Sequence, residues 1–175
     1  MLRIMLLRHA TSSRPQGVPD HERPLSPQGC HEGESIAGYM VAHGLAPDLA
    51  VVSTATRTQD TWRYVSMAFG GGMAHVAEGG LYEAELEDIM QVVRGIRQGP
   101  RSVLLVGHNP GLAETAQYLC SDFASSPMVQ AKGYPPGSLA VLDFDAEQWK
   151  DIARNGGELE RFITPPAGGQ TPYGV

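Results

Sequence analysis

The run Ser102-Val103-Leu104-Leu105-Val106 constrains this chain more than any other segment. After its first residue it is apolar without alternation, and strands of that kind sit in the middle of parallel sheets, covered on both faces. Gly99-Pro100 stops the chain before it. Gly107-His108-Asn109-Pro110-Gly111 follows and reads as a strand-to-helix turn, in which Gly107 permits a close backbone approach and Pro110 suits a helix start. Residues 3–7 read as a second buried strand, followed at once by Arg8 and His9.

Helical and strand patterns alternate around these two runs. A loop rich in Pro, Ser and Gly covers 10–25. Ser26-Pro27 reads as an N-cap with proline at the first helical position, opening a helix to about residue 43. Residues 49–52 form a short strand. Thr54 is a candidate cap for the next helix, whose apolar face includes Trp62, Val65 and Phe69 and which ends at Gly70-Gly71-Gly72. Residues 73–76 read as another short strand. Leu86, Ile89, Met90, Val93 and Ile96 fall at helical spacing and predict an amphipathic helix over about 85–98. A helix after Pro110 buries Leu112, Ala116 and Leu119. Two late strands, 138–144 and 159–163, have no clear helix between them, which predicts an antiparallel edge.

This alternation predicts a three-layer α/β/α sandwich with a mostly parallel central sheet. The 175 residues fit one domain, read as 1–166, with a loose Pro- and Gly-rich tail at 167–175. A net charge of −6 argues against a nucleic-acid partner, since phosphate backbones call for a basic surface. No apolar run has the length of a membrane span, and the apolar N-terminus is too short for a signal peptide. Cys30 and Cys120 form no CxxC pair and read as idle thiols. A cytoplasmic protein is expected, and its oligomeric state is left open.

Two of the six histidines stand out by position. His9 and His108 each follow a buried strand by one residue. Ligands of open α/β sheets bind at the carboxyl ends of the strands, so two parallel strands bring both histidines to one edge. Arg8 stands beside His9. Arg57 falls in the first turn of the helix that opens near Thr54. A cation there opposes the helix dipole at a cost of roughly 0.3–1 kcal/mol, unless an anion shares the site. His21, His31, His43 and His75 receive no role.

These residues together resemble the histidine phosphatase superfamily, also called phosphoglycerate mutase-like. Leu7-Arg8-His9-Ala10 is similar to its Arg-His-Gly signature, with alanine in place of glycine. Residues 53–61, Ser-Thr-Ala-Thr-Arg-Thr-Gln-Asp-Thr, resemble its S-x-x-x-R-x-x-x-T segment, and Val106-Gly107-His108-Asn109-Pro110 its second histidine motif. Within that superfamily the chain looks like the phosphohistidine phosphatase branch, the SixA type. Arg23-Pro24-Leu25-Ser26-Pro27-Gln28-Gly29 and Arg161-Phe162-Ile163-Thr164-Pro165 carry this closer likeness. The resemblance extends to about Pro166.

The resemblance implies that His9 attacks phosphorus and forms a phosphohistidine intermediate, with Arg8, Arg57 and His108 lining the phosphate pocket. Forked guanidinium donors suit phosphate oxygens, and neighbouring cations favour a neutral imidazole. No metal or other cofactor is called for. Glu83, in Leu81-Tyr82-Glu83-Ala84, is the candidate general acid for ester substrates; its alternative is a glutamate that merely favours a helix N-terminus. Arg23 is a candidate at the pocket rim, the alternative being a pairing with a carboxylate. The short stretch from Arg57 to Glu83 leaves no room for a lid domain. That favours a phosphorylated protein over a small phosphorylated molecule as substrate. A non-catalytic phosphate-binding module is the alternative outside enzymes. A metal-dependent hydrolase is disfavoured because there is no HExxH motif.

Overall fold

Alternate residues of the first strand, β1 (Leu2–Arg8), face opposite sides of a sheet, and both sides are covered. Leu2, Ile4 and Leu6 enter one apolar cluster, while Met5 and Leu7 enter another. The computed structural model describes residues 1–131 and 133–166. The expected tail, 167–175, lies outside the described residues.

The elements follow in the expected alternation. β1 leads to α1 (Pro27–Ala42), β2 (Leu49–Ser53), α2 (Thr56–Ala68), β3 (His75–Glu78), α3 (Leu86–Arg94) and β4 (Ser102–Gly107). Then come α4 (Gly111–Leu119), a short α5 (Pro127–Gln130), β5 (Leu139–Phe144) and β6 (Gly157–Ile163). The six strands form one sheet in the order β3-β2-β4-β1-β5-β6. β1, β2, β3 and β4 run parallel. β5 pairs antiparallel with β1, and the edge strand β6 pairs antiparallel with β5. The α/β/α architecture read from the sequence is therefore the one observed.

Helices α1 and α2 pack Ile36, Ala37, Met40, Trp62 and Val65 onto one face of the sheet. Helices α3 and α4 pack Ile89, Met90, Val93, Leu112, Ala116 and Leu119 onto the other. The connection leaving β1 thus goes to one layer and the connection leaving β4 to the other. A crevice opens between such diverging loops at the carboxyl ends of the strands.

Some local expectations need correction. Ala55, not Thr54, occupies the cap position of α2, and no side chain caps that end. The Thr54 hydroxyl is instead engaged with His21 Nε2 at 2.9 Å. α3 stops at Arg94 rather than near 98, because Gly95 terminates it and glycine is a poor helix former. Ile96 still packs against the core from beyond the helix end. β3 begins two residues later than expected. Cys30 and Cys120 are both free thiols. Among the described residues, no helix is long and apolar enough to cross a membrane.

The loop before α1 is pinned by close backbone contact. Ser26 Oγ accepts from the Gly29 N–H at 3.1 Å, capping the helix as expected. The Ser26 N–H donates to the Thr11 carbonyl at 2.9 Å. A Cβ on Gly29 would lie 1.9 Å from that same oxygen. Gly29→Ala is therefore expected to force the 11–12 loop off the helix and to cost ~1–3 kcal/mol or more. Urea unfolding checks this, and an unchanged midpoint would overturn the account.

Candidate active site

The β1–β4 pairing puts Arg8 opposite Gly107. The His9 N–H then donates to the Gly107 carbonyl at 3.1 Å, so the two strands end together. The rings of His9 and His108 lie 5.2 Å apart between centroids, tilted by 55°. The sequence placed these histidines at one sheet edge, and the structure brings them side by side.

The His9 ring is held in one tautomer. Its Nδ1 lies 2.8 Å from the Ala10 carbonyl oxygen. A carbonyl only accepts, so Nδ1 carries the hydrogen and Nε2 keeps its lone pair. Ala10, completely buried, is itself fixed: its N–H donates to Thr61 Oγ1 at 3.0 Å, and that hydroxyl donates to the Arg57 carbonyl at 2.7 Å. Thr61 thus couples the loop after β1 to α2.

Ser53, at the end of β2, fixes the second ring. Its Oγ is 2.8 Å from His108 Nε2, and the Ala55 N–H approaches the same oxygen at 3.5 Å. The hydroxyl can donate to Nε2 or accept from it, so this contact fixes the position of the ring and leaves its tautomer open. His108 Nδ1 is buried and has no hydrogen-bond partner among the described residues. Arg8 Nε is likewise buried with no hydrogen-bond partner among the described residues, while Arg8 Nη1 donates to the Tyr134 carbonyl at 3.0 Å. Unpaired buried nitrogens of this kind call for a functional explanation.

Arg57 is almost fully buried at the start of α2. The anion that offsets its position belongs to the chain itself. Arg57 Nη1 donates to the Asp20 carbonyl at 2.7 Å, and Nη2 to Asp20 Oδ2 at 3.1 Å. Arg23 Nη1 donates to Asp20 Oδ1 at 2.7 Å, with its other nitrogens on Ser13 O and Ser12 Oγ. Arg23 therefore pairs with a carboxylate, one of its two expected roles. The Tyr82 hydroxyl also donates to Asp20 Oδ2, at 2.8 Å. These donors, Arg23 foremost, then Tyr82 and Arg57, hold the Asp20 carboxyl well below the usual carboxylate range.

Glu83 lies elsewhere in character. It is exposed, its backbone has φ 53°, and it makes no hydrogen bond or ion pair with another described residue. Of the histidines assigned no role, His21 comes nearest the site, with its ring edge-on to Tyr82 at 4.7 Å. Reading the sequence left Ser53, Thr61, Asp20 and Tyr82 without roles. Ser53 and Thr61 flank Arg57 in a matched segment, which was a usable signal. Asp20 sits in an irregular loop and carried none. Among the described residues, no group of three His, Cys, Asp or Glu side chains could hold a metal ion.

Burial, and then the nearby Arg57, Arg8 and Arg23, lowers the His9 pKa from 6.5 to about 4, against the Ala10 hydrogen bond. Burial, His9 and the arginines Arg57 and Arg8 lower that of His108 to about 3, opposed by Asp20. Both rings are neutral at pH 7. The arrangement can seat an anion and present a ring nitrogen lone pair to it.

No family profile matches the chain. It is 31% identical over 163 residues to an uncharacterized protein of Mycobacterium tuberculosis, covering 91% of this chain and 99% of that one. Among solved structures, one assigned as the phosphohistidine phosphatase SixA of Agrobacterium tumefaciens superposes with a TM-score of 0.80 at 30% identity, covering 94% and 98% of the two chains. One with the same assignment from Nakamurella multipartitia gives 0.81 at 28% identity, covering 95% and 97%. The protein histidine phosphatase SixA complexed with tungstate shares the fold, at a TM-score of 0.74 and 18% identity over 92% and 96% of the chains.

NMR titration of the two rings is expected to give midpoints near 4 for His9 and near 3 for His108. Midpoints near 6.5 would overturn the buried-pocket description. Both pKa values are lowered on folding, so the unfolded chain binds more protons below its own value of about 6.5. The stability these rings contribute is present above that pH and is lost as pH falls toward 4 and 3.

Proposed function

This chain belongs to the SixA-type branch of the histidine phosphatase superfamily, and from that premise we propose that it is a phosphatase working through a phosphohistidine at His9. The observation that carries the reading is the His9 tautomer. With Nδ1–H committed to the Ala10 carbonyl, Nε2 is left as a neutral nucleophile beside buried cations.

In the first step the Nε2 lone pair forms a bond to phosphorus as the bond to the leaving group breaks, and that electron pair departs with the leaving group. In the second, water attacks the phosphoryl group on His9, releasing inorganic phosphate and restoring the ring. Arg8, Arg57 and His108 are suited to the equatorial oxygens, where phosphoryl transfer gathers negative charge. Charge supplied by these groups would do the work that a metal does elsewhere. Arg23 acts on the pocket through Asp20 in this reading.

Phosphohistidine on proteins is the proposed substrate, and the cytoplasm the proposed setting. Support comes from what the similar solved structures are assigned to do, and from the short path between α2 and α3. That path holds only β3 and a tight turn at Gly79–Leu81, so no lid is inserted between α2 and α3. A protein side chain could therefore enter. One second reading is a phosphatase for small phosphate esters in which Glu83 supplies the leaving-group proton; it is favoured by the neighbouring Tyr82, whose ring lies edge-on to His108 at 5.6 Å.

Brief exposure to a phosphohistidine protein is expected to leave acid-labile, alkali-stable phosphate on the enzyme. His9→Ala should abolish this label and lower kcat/KM by roughly 10³-fold or more. A His9→Ala protein that labels or turns over like the parent would sink the mechanism. Assays on a panel of sugar and nucleotide phosphates decide the substrate: strong activity only there, with Glu83→Gln lowering it, would replace the phosphohistidine reading by the second one.

A further inference from the structure

Asp20 is the acidic side chain that meets the buried Arg57 and Arg23 directly, and the steps above give it no contact with the substrate. It enters on a single turn of 3-10 helix, Asp20–Glu22, in the loop between β1 and α1. Its Oδ1 accepts from Arg23, and its Oδ2 accepts from Arg57 and Tyr82. An ionised carboxylate offers about four lone-pair sites, so one on Oδ1 stays available. The side chain is 49% exposed although both its arginine partners are buried, so that site can be reached from outside. Tyr82 links it to the catalytic edge, with its ring edge-on to His108 at 5.6 Å.

We propose that Asp20 makes the site prefer a phosphorylated imidazole to a phosphate ester, by accepting the ring N–H of the departing imidazole. The inference rests on the phosphohistidine reading above. In phosphohistidine one ring nitrogen carries phosphorus and the other takes a proton near neutral pH. When His9 Nε2 bonds to phosphorus, the P–N electron pair returns to the first nitrogen. The ring leaves as neutral imidazole with its hydrogen still on the second nitrogen. No proton moves during this step. What assists it is an anion that keeps the second nitrogen protonated before the bond breaks, and a carboxylate held ionised by two arginines and a tyrosine meets that requirement. An ester has the opposite need. Its alkoxide must receive a proton, and a carboxylate held ionised has none to give.

The test compares phosphoimidazole with N-methyl-phosphoimidazolium, which has the same leaving nitrogen but no N–H. The quantity read is the ratio of kcat/KM for the two, since kcat/KM reports the first phosphoryl transfer. Intrinsic reactivity cancels when the ratio in a variant is divided by the ratio in the parent. Asp20→Asn is expected to lower the ratio about 10-fold or more, the size of a lost charge-assisted hydrogen bond. Asp20→Ser, which leaves room for water, is read the same way should the asparagine variant fold poorly. A residue that only held Arg57 in place would depress both substrates alike, so a ratio that changes less than about 3-fold overturns the role of Asp20 alone. A parent protein that hydrolyses esters but neither imidazole substrate overturns the phosphohistidine reading and this inference with it.

Discussion

The site depends on the parallel pairing of β1 with β4. In that register Arg8 faces Gly107, and the next residue on each strand is a histidine. Both strands are buried on both faces, so their register is set by two apolar clusters at once. A slip of one residue on either strand would exchange those faces and separate the rings. The histidine pair is therefore held in place by the centre of the core, and the divergence of α1 and α4 to opposite layers opens the space in which the rings meet.

Around this pair the chain buries more cation than it neutralises. Arg57 and Arg23 are nearly inaccessible and share a single carboxylate, that of Asp20. Arg8 leans on the Tyr134 carbonyl, and its Nε has no hydrogen-bond partner among the described residues. Buried charge is costly unless paired and hydrogen-bonded. The remaining positive potential acts on the histidines, which respond by staying neutral. An anionic group entering the site would relieve the same imbalance.

Backbone acceptors and short hydroxyl side chains finish what the charges begin. The Ala10 carbonyl orients His9, Ser53 orients His108, and Thr61 holds Ala10 against α2. None of these groups is charged, and each acts by fixing where a ring or a loop lies. A small residue at position 10 suits this packing, because the site is wholly enclosed.

Much of this was legible in the order of residues. Unbroken apolar runs at 4–7 and 103–106 identify central strands, because only a strand covered on both faces can bury every side chain. Histidines one residue beyond those runs share a sheet edge for the same reason, and Arg8 and Arg57 follow from their places at a strand end and a helix start. Other features depended on contacts between residues distant in sequence. Gly95 ended α3 before its apolar period ran out, and Ala55 took the cap that Thr54 was expected to fill. Asp20 lies 37 residues from Arg57 in an irregular loop, and no local pattern marks it. The sequence by itself determined the layers of the sheet and the edge where chemistry collects, since periodicity and burial are local properties. Only the tertiary structure decided which tautomer His9 adopts and which anion meets the buried arginines, because hydrogen-bond partners are chosen by folded geometry.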